Sequence, residues 1–226
     1  MAVNQSSSSY DVKSAFETVP GLTSFITTAQ SGALAITFSA DTWVKKNRLM
    51  IQAVIDGVVA SDVVIHDHAP GTPAFRAAHR YTFVVPGVPA GSHEIELRAS
   101  ATAPGSAVLA NRTLTVASAP EASADGGMVA TGAQPETLTI SSTSWIDVPF
   151  LASSFTTFAG ASTALIEAGA EVRTDGRLFL RALIDGAPAR PGDVTLLQGE
   201  PRFTAQSFAF AVDNLPPGSQ IGRAHV

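Results

Sequence analysis

Apolar residues recur at every second position in short runs along this chain. Leu34, Ile36 and Phe38 share one face of a strand over residues 33–38, and Leu49, Ile51, Ala53 and Ile55 share one side of a longer strand over 48–55. Successive side chains of a strand point to opposite faces, so a period of two marks a half-buried strand. Asp56-Gly57 then joins that strand to Val58-Val59-Ala60. Asp-Gly between two apolar runs predicts a type I′ hairpin, whose central residues need positive φ. The pattern returns in Leu178, Leu180, Ala182 and Ile184, followed by Asp185-Gly186. Residues 81–85, 94–98, 112–116 and 207–212 read as further strands. Pro and Gly sit between the runs, as turns require. No long window shows helical spacing. The chain is therefore all-β, with some eight strands per complete unit. A two-sheet antiparallel sandwich of jelly-roll or other Greek-key type fits this count, and an immunoglobulin-like sandwich stays open.

The chain states this pattern twice. Residues 16–65 contain VP-x-L, an aromatic-Thr-Thr run and NRLMIQAVIDG; residues 145–196 contain VP-x-L, FTT and GRLFLRALIDG. GVPAGSH (87–93) answers NLPPGSQ (214–220). Two tandem β-sandwich units of about 100 residues each follow, a common domain size. Their expected bounds are 10–116 and 137–220, joined by a small, polar linker over 117–136. The first unit continues after its PAGSH turn through Glu94 to Val116; the second reaches only IGRAHV. That hexapeptide, Ile221 to Val226, matches one reading frame of a common sequencing adapter and is expected to be read-through. The second sandwich is then C-terminally truncated, short of two strands, and prone to aggregate through its unpaired edges.

With 45% hydrophobic and only 15% charged residues, the chain has ample material for a core. Its net charge of −5 argues against nucleic acid as a partner, which needs clustered Lys and Arg. The one tight basic cluster, Lys45, Lys46 and Arg48, reads as a solvated turn. The chain has no cysteine, which excludes disulfides and thiolate chemistry. No basic start followed by an apolar run marks a secretory signal, and no stretch approaches the ~20 apolar residues of a membrane span. An extracellular, cell-surface or virion setting is the favoured expectation.

Two constellations invite a chemical reading. His66 and His68 flank Asp67, and an H-x-H pair on a strand points one way and can grip one metal ion, with His79, Asp62 or Asp67 as a third ligand. The plainer reading is a polar loop rim. Glu94 and Glu96 also share a strand face, the spacing of a glycosidase pair. Ile95 and Leu97 supply the core side of that strand, so the carboxylates suit a solvent face. Serine nucleophile, phosphate-loop and dinucleotide patterns are absent. Trp145 suits sheet packing. Trp43, in an expected loop beside Lys45, is the candidate ligand-binding residue, since an exposed indole stacks on sugars. No cofactor and no catalytic residue is expected.

The blocks GALAITFSADTWV…NRLMIQAVIDGVVA and VPAGSHEIELRASA…NRTLTV resemble bacterial and phage jelly-roll modules related to the C1q/TNF-like group. The resemblance implies receptor or glycan binding, often by trimers, and no catalytic residue. The expected function is a non-enzymatic adhesion, binding or structural protein of a bacterial or phage surface, with a glycan or a surface protein as partner. The alternatives are carbohydrate-binding-like accessory modules of a larger secreted enzyme and, more remotely, a sandwich hydrolase.

Overall fold

The computed structural model describes residues 1–45, 47–68, 75–103, 106–120, 138–141, 143–157 and 162–226, and every regular element among them is a β-strand. The first part of the chain supplies β1 (Ala2–Ser6), β2 (Tyr10–Asp11), β3 (Glu17–Thr28), β4 (Gly32–Val44), β5 (Asn47–Ile55), β6 (Val58–His68), β7 (Phe75–Val88), β8 (Gly91–Ala101) and β9 (Ala107–Pro120). The later part supplies β10 (Asp147–Thr157), β11 (Ser162–Ile184), β12 (Ala187–Pro188), β13 (Val194–Leu215) and β14 (Gly218–His225).

In the first part, one sheet runs β1-β9-β4-β7, with β2 also on β9, and the other runs β3-β8-β5-β6. All their pairings are antiparallel. From β3 onward the chain alternates between sheets except at the β5–β6 hairpin, which is jelly-roll strand order. The period-two face of β4 and that of β5 meet between the layers: Leu34, Ile36, Phe38, Leu49, Ile51, Ile95 and Leu97 are all fully buried. Each such side chain contributes on the order of 1.5–3 kcal/mol by leaving water. Asp56 and Gly57 take φ of 50° and 80°, as the predicted I′ turn demands.

Strand β1 precedes the expected start of the unit at residue 10, and β9 continues to Pro120, inside the stretch expected to be linker. The rest of that stretch lies outside the described residues. Arg112 ties the N-terminal strands down. It is 1% exposed and donates from Nη1 to the carbonyls of Ser8 (2.6 Å) and Leu109 (2.9 Å), and from Nη2 to Ser6 Oγ (3.0 Å) and the Pro20 carbonyl (3.2 Å).

The later part repeats the pairings of the first. Ile184 lies opposite Gly222 across β11/β14 as Ile55 lies opposite Ile95 across β5/β8. Thr157 lies opposite Gly218 as Thr28 lies opposite Gly91. The turn chemistry recurs too: the Glu94 N–H donates to Asp56 Oδ1 (2.8 Å), and the Ile221 N–H donates to Asp185 Oδ1 (2.7 Å). One feature differs. β4 and β5 belong to different sheets, whereas β11 runs unbroken through both roles, and β13 pairs with it along its length through several register shifts. The result is one long hairpin interrupted by register shifts.

Buried apolar residues form two clusters, one centred on the first sandwich and a smaller one around Leu180, Ala182, Ala189, Phe210 and Ala224. The expected read-through, Ile221 to Val226, is part of the second: β14 pairs with β10 and β11, and Ala224 is buried. The physical reason is simple. An extended segment leaving the PPGSQ turn finds unsatisfied backbone groups on both neighbours, and its alternate small residue fits the core side.

Candidate functional site

The expected metal pair sits on β6, an edge strand of its sheet. Val63 lies opposite Ile51 and Val64 opposite Met50, but His66 lies opposite Leu49, leaving Ile65 as an extra residue. This β-bulge reverses the phase of the strand. Residues directly opposite across a ladder point to the same side. His66 therefore shares the inward side of the buried Leu49, and Asp67 takes the other side of the sheet, where it is buried beneath Arg48 and Arg202. His66 and His68 are 4% and 2% exposed, so the loop-rim reading is overturned. The sequence could not reveal this, because a period-two count carries no mark of a bulge.

From the facing sheet, His79 lies opposite the buried Ala40, and Thr42 is fully buried one inward position further along β4. The His66 ring lies 5.0 Å from that of His79 and 6.4 Å from that of His68. Thr42 Oγ1 lies 3.1 Å from His66 Nδ1 and 3.4 Å from the Ala77 carbonyl. If the hydroxyl donates to the carbonyl, it accepts from a neutral His66 protonated at Nδ1. Burial foremost, then the neighbouring His68, pushes His66 down to about 4, with Asp67 opposing. Burial and then His66 push His79 down to about 4 as well. Both rings are neutral at pH 7, and His79 Nε2 is buried without a partner among the described residues.

The structure thus joins His79 to the predicted pair, but not the acidic alternatives. Asp62 is exposed, and Asp67 is held by Arg48 (3.1 Å) and by Arg202 of β13 (3.1 Å). Among the described residues no group of three or more His, Asp or Glu is arranged to hold a metal ion. Trp43 lies in β4, not in a loop, opposite Val108 and Arg76; it is half-buried, with Lys45 Nζ 4.4 Å from its ring centroid. Strand β4 simply continues past the run that the alternation marks. Glu94 is exposed, and Glu96 receives two hydrogen bonds from Arg98 (2.8 and 3.1 Å). Trp145 packs against Arg181, 4.2 Å from ring to guanidinium.

The open side of the first sandwich, between edge strands β6 and β7, is covered by the β11/β13 hairpin. Glu171 accepts from the Val64 N–H, Thr204 Oγ1 donates to the Ile65 carbonyl (2.8 Å), and Ser207 Oγ donates to the Arg80 carbonyl (3.4 Å). Glu167 meets Thr82 Oγ1 and Arg80 (3.2 Å). Ala205 enters the first core. Gly169 permits the close approach: a Cβ there would stand 3.3 Å from the Tyr81 ring and 3.4 Å from Ser207 Cβ. No sequence motif marks this docking; the buried edge groups that need partners are its only signal.

No family model and no curated protein matches the chain. Among solved structures, the infectious bursal disease virus T13 particle aligns over 99% of this chain and 37% of its own, at 9% identity and a TM-score of 0.33. Dimeric latent PorU from Porphyromonas gingivalis aligns over 98% and 20%, at 9% identity and a TM-score of 0.35. A GH2 beta-galacturonidase from Eisenbergiella tayi bound to galacturonate aligns over 97% and 43%, at 11% identity and a TM-score of 0.30. The chain spans under half the length of each, and likenesses this slight carry no weight for function.

Proposed function

We propose that this chain is a non-enzymatic β-sandwich module serving architecture, adhesion or ligand binding on a bacterial or phage surface. One observation supports this above the others: the polar residues that recur in both halves are engaged in building the scaffold. Asp56 and Asp185, each in a hairpin turn, accept from the backbone N–H of Glu94 in β8 and of Ile221 in β14, at 2.8 and 2.7 Å. The backbone of the corresponding turns recurs as well, with Gly87 and Asn214 at positive φ of 69° and 59°. A duplicated module raises avidity through effective concentration and needs no new contact. On this reading the ligand, a glycan or a surface protein, meets one-sided surface features such as Trp43 with Lys45. A glycan array with the whole chain, repeated with Trp43→Ala, tests the binding arm. Captured glycans lost in the variant support it. Turnover of a polysaccharide, abolished by Glu96→Gln, would replace it with a hydrolase.

A further inference from the structure

Arg48, Arg80, Arg98, Arg202 and Arg223 each pair with an Asp or Glu. Lys45 forms no ion pair among the described residues. Its ammonium lies instead 4.4 Å from the centroid of the Trp43 ring. The fold sets this contact in place. Thr42 and Val44 are both fully buried, which turns Trp43 to the outer side of β4. The chain then runs on to Lys45, whose backbone N–H donates to the Ser106 carbonyl at 2.6 Å and whose side chain is exposed. Asp41, the acidic residue of the same strand, already accepts from Asn111 Nδ2 at 2.7 Å. Arg76 holds the ladder position opposite Trp43 on β7.

This contact discriminates among sugars. An ammonium over an indole is a cation–π contact, and a pyranose that stacks on the same face must displace it. A neutral sugar gives the displaced ammonium no charged partner. A sugar with a carboxylate gives it a charge-assisted hydrogen bond while the C–H face of the ring covers the indole. The net charge of −5 supplies no general attraction for anions, so the selection is local to this pair.

We propose that Trp43 and Lys45 form a binding site for an acidic saccharide, a uronic acid whose ring stacks on the indole and whose carboxylate meets the ammonium. The inference rests on the Trp43 reading above and deepens it by naming the class of ligand. The two fail separately. Glycan binding that depends on Trp43 but is indifferent to the carboxylate keeps that reading and removes this one.

The probes are a glucose hexamer and the glucuronate hexamer of the same linkage, which differ only in their carboxylates. Titrated calorimetrically into the whole chain, the glucuronate hexamer is expected to bind about tenfold more tightly. Lys45→Ala should remove that preference, weakening the glucuronate hexamer about tenfold while the glucose hexamer binds as well as before or better, since no ammonium then competes for the indole. Lys45→Arg should keep the preference, and Trp43→Ala should weaken both hexamers. Lys45 is exposed, so its substitution leaves the core untouched. Inorganic polyphosphate, which has charge but no sugar face, should bind more weakly than the glucuronate hexamer. Equal affinity for the two hexamers, binding of neither, or a preference that survives Lys45→Ala overturns the proposal. So does glucuronate binding that Trp43→Ala leaves unchanged, or polyphosphate binding of equal strength, because charge alone would then be read.

Discussion

At Asp56 and His93, one contact shows how far a turn residue's role extends. Asp56 holds positive φ for the hairpin and accepts from His93 Nδ1 at 2.7 Å, while His93 Nε2 lies 2.9 Å from the Pro89 carbonyl. Both neighbours are acceptors, so the ring is best served when doubly protonated. The Asp56 hydrogen bond foremost raises His93, and the His93 hydrogen bond foremost lowers Asp56. Asp56→Asn keeps the turn but loses the charge pair; the expected cost is about 1–2 kcal/mol by chemical denaturation at pH 6. His66 and His79 act in the opposite sense. Their folded values, about 4, lie below the ordinary 6.5. Their contribution is complete above pH 6.5 and is lost as pH falls from there toward 4. His93, being raised, contributes below pH 6.5 and loses that contribution as pH climbs through its folded value. Between pH 7.5 and 5 the chain should lose about 2 kcal/mol for each of the two buried rings, partly offset by His93. Urea midpoints at the two pH values check this, and His79→Gln should shrink the difference.

Among the elements, strands whose signal is local were legible in the sequence. The alternation of Leu34, Ile36 and Phe38 and the Asp-Gly turns are written in adjacent residues, and their positions are as read. What was illegible depends on partners distant in the chain. The bulge at Ile65 turns His66 inward, and only the pairing with β5 reveals it. Strand β1 carries the polar sequence AVNQS and is held by β9 and Arg112. The β11/β13 hairpin meets the first sandwich through Gly169, whose missing Cβ leaves room beside Tyr81. Gly169→Val should force the hairpin outward and destabilise the chain by about 1–3 kcal/mol through overpacking. Protease cleavage within 162–215 should quicken while the first half stays resistant. Unchanged cleavage would show that the approach at Gly169 is loose.

Across the whole molecule, the hairpin laid over β6 and β7 makes the halves interdependent. Edge strands are open to pairing with other chains unless something covers them. Here the cover is part of the same polypeptide and satisfies edge groups with side chains, not with a continued ladder. The most direct measurement is amide hydrogen exchange at Val64, resolved by NMR in the whole chain. Its N–H has Glu171 as partner and the residue is 7% exposed. Slow exchange is predicted in the native protein, with Glu171→Ala raising the rate at least tenfold at Val64 while Ile51 and Leu97 in the first core stay protected. Fast exchange at Val64 in the unmodified chain would contradict the docking of the second half on the first.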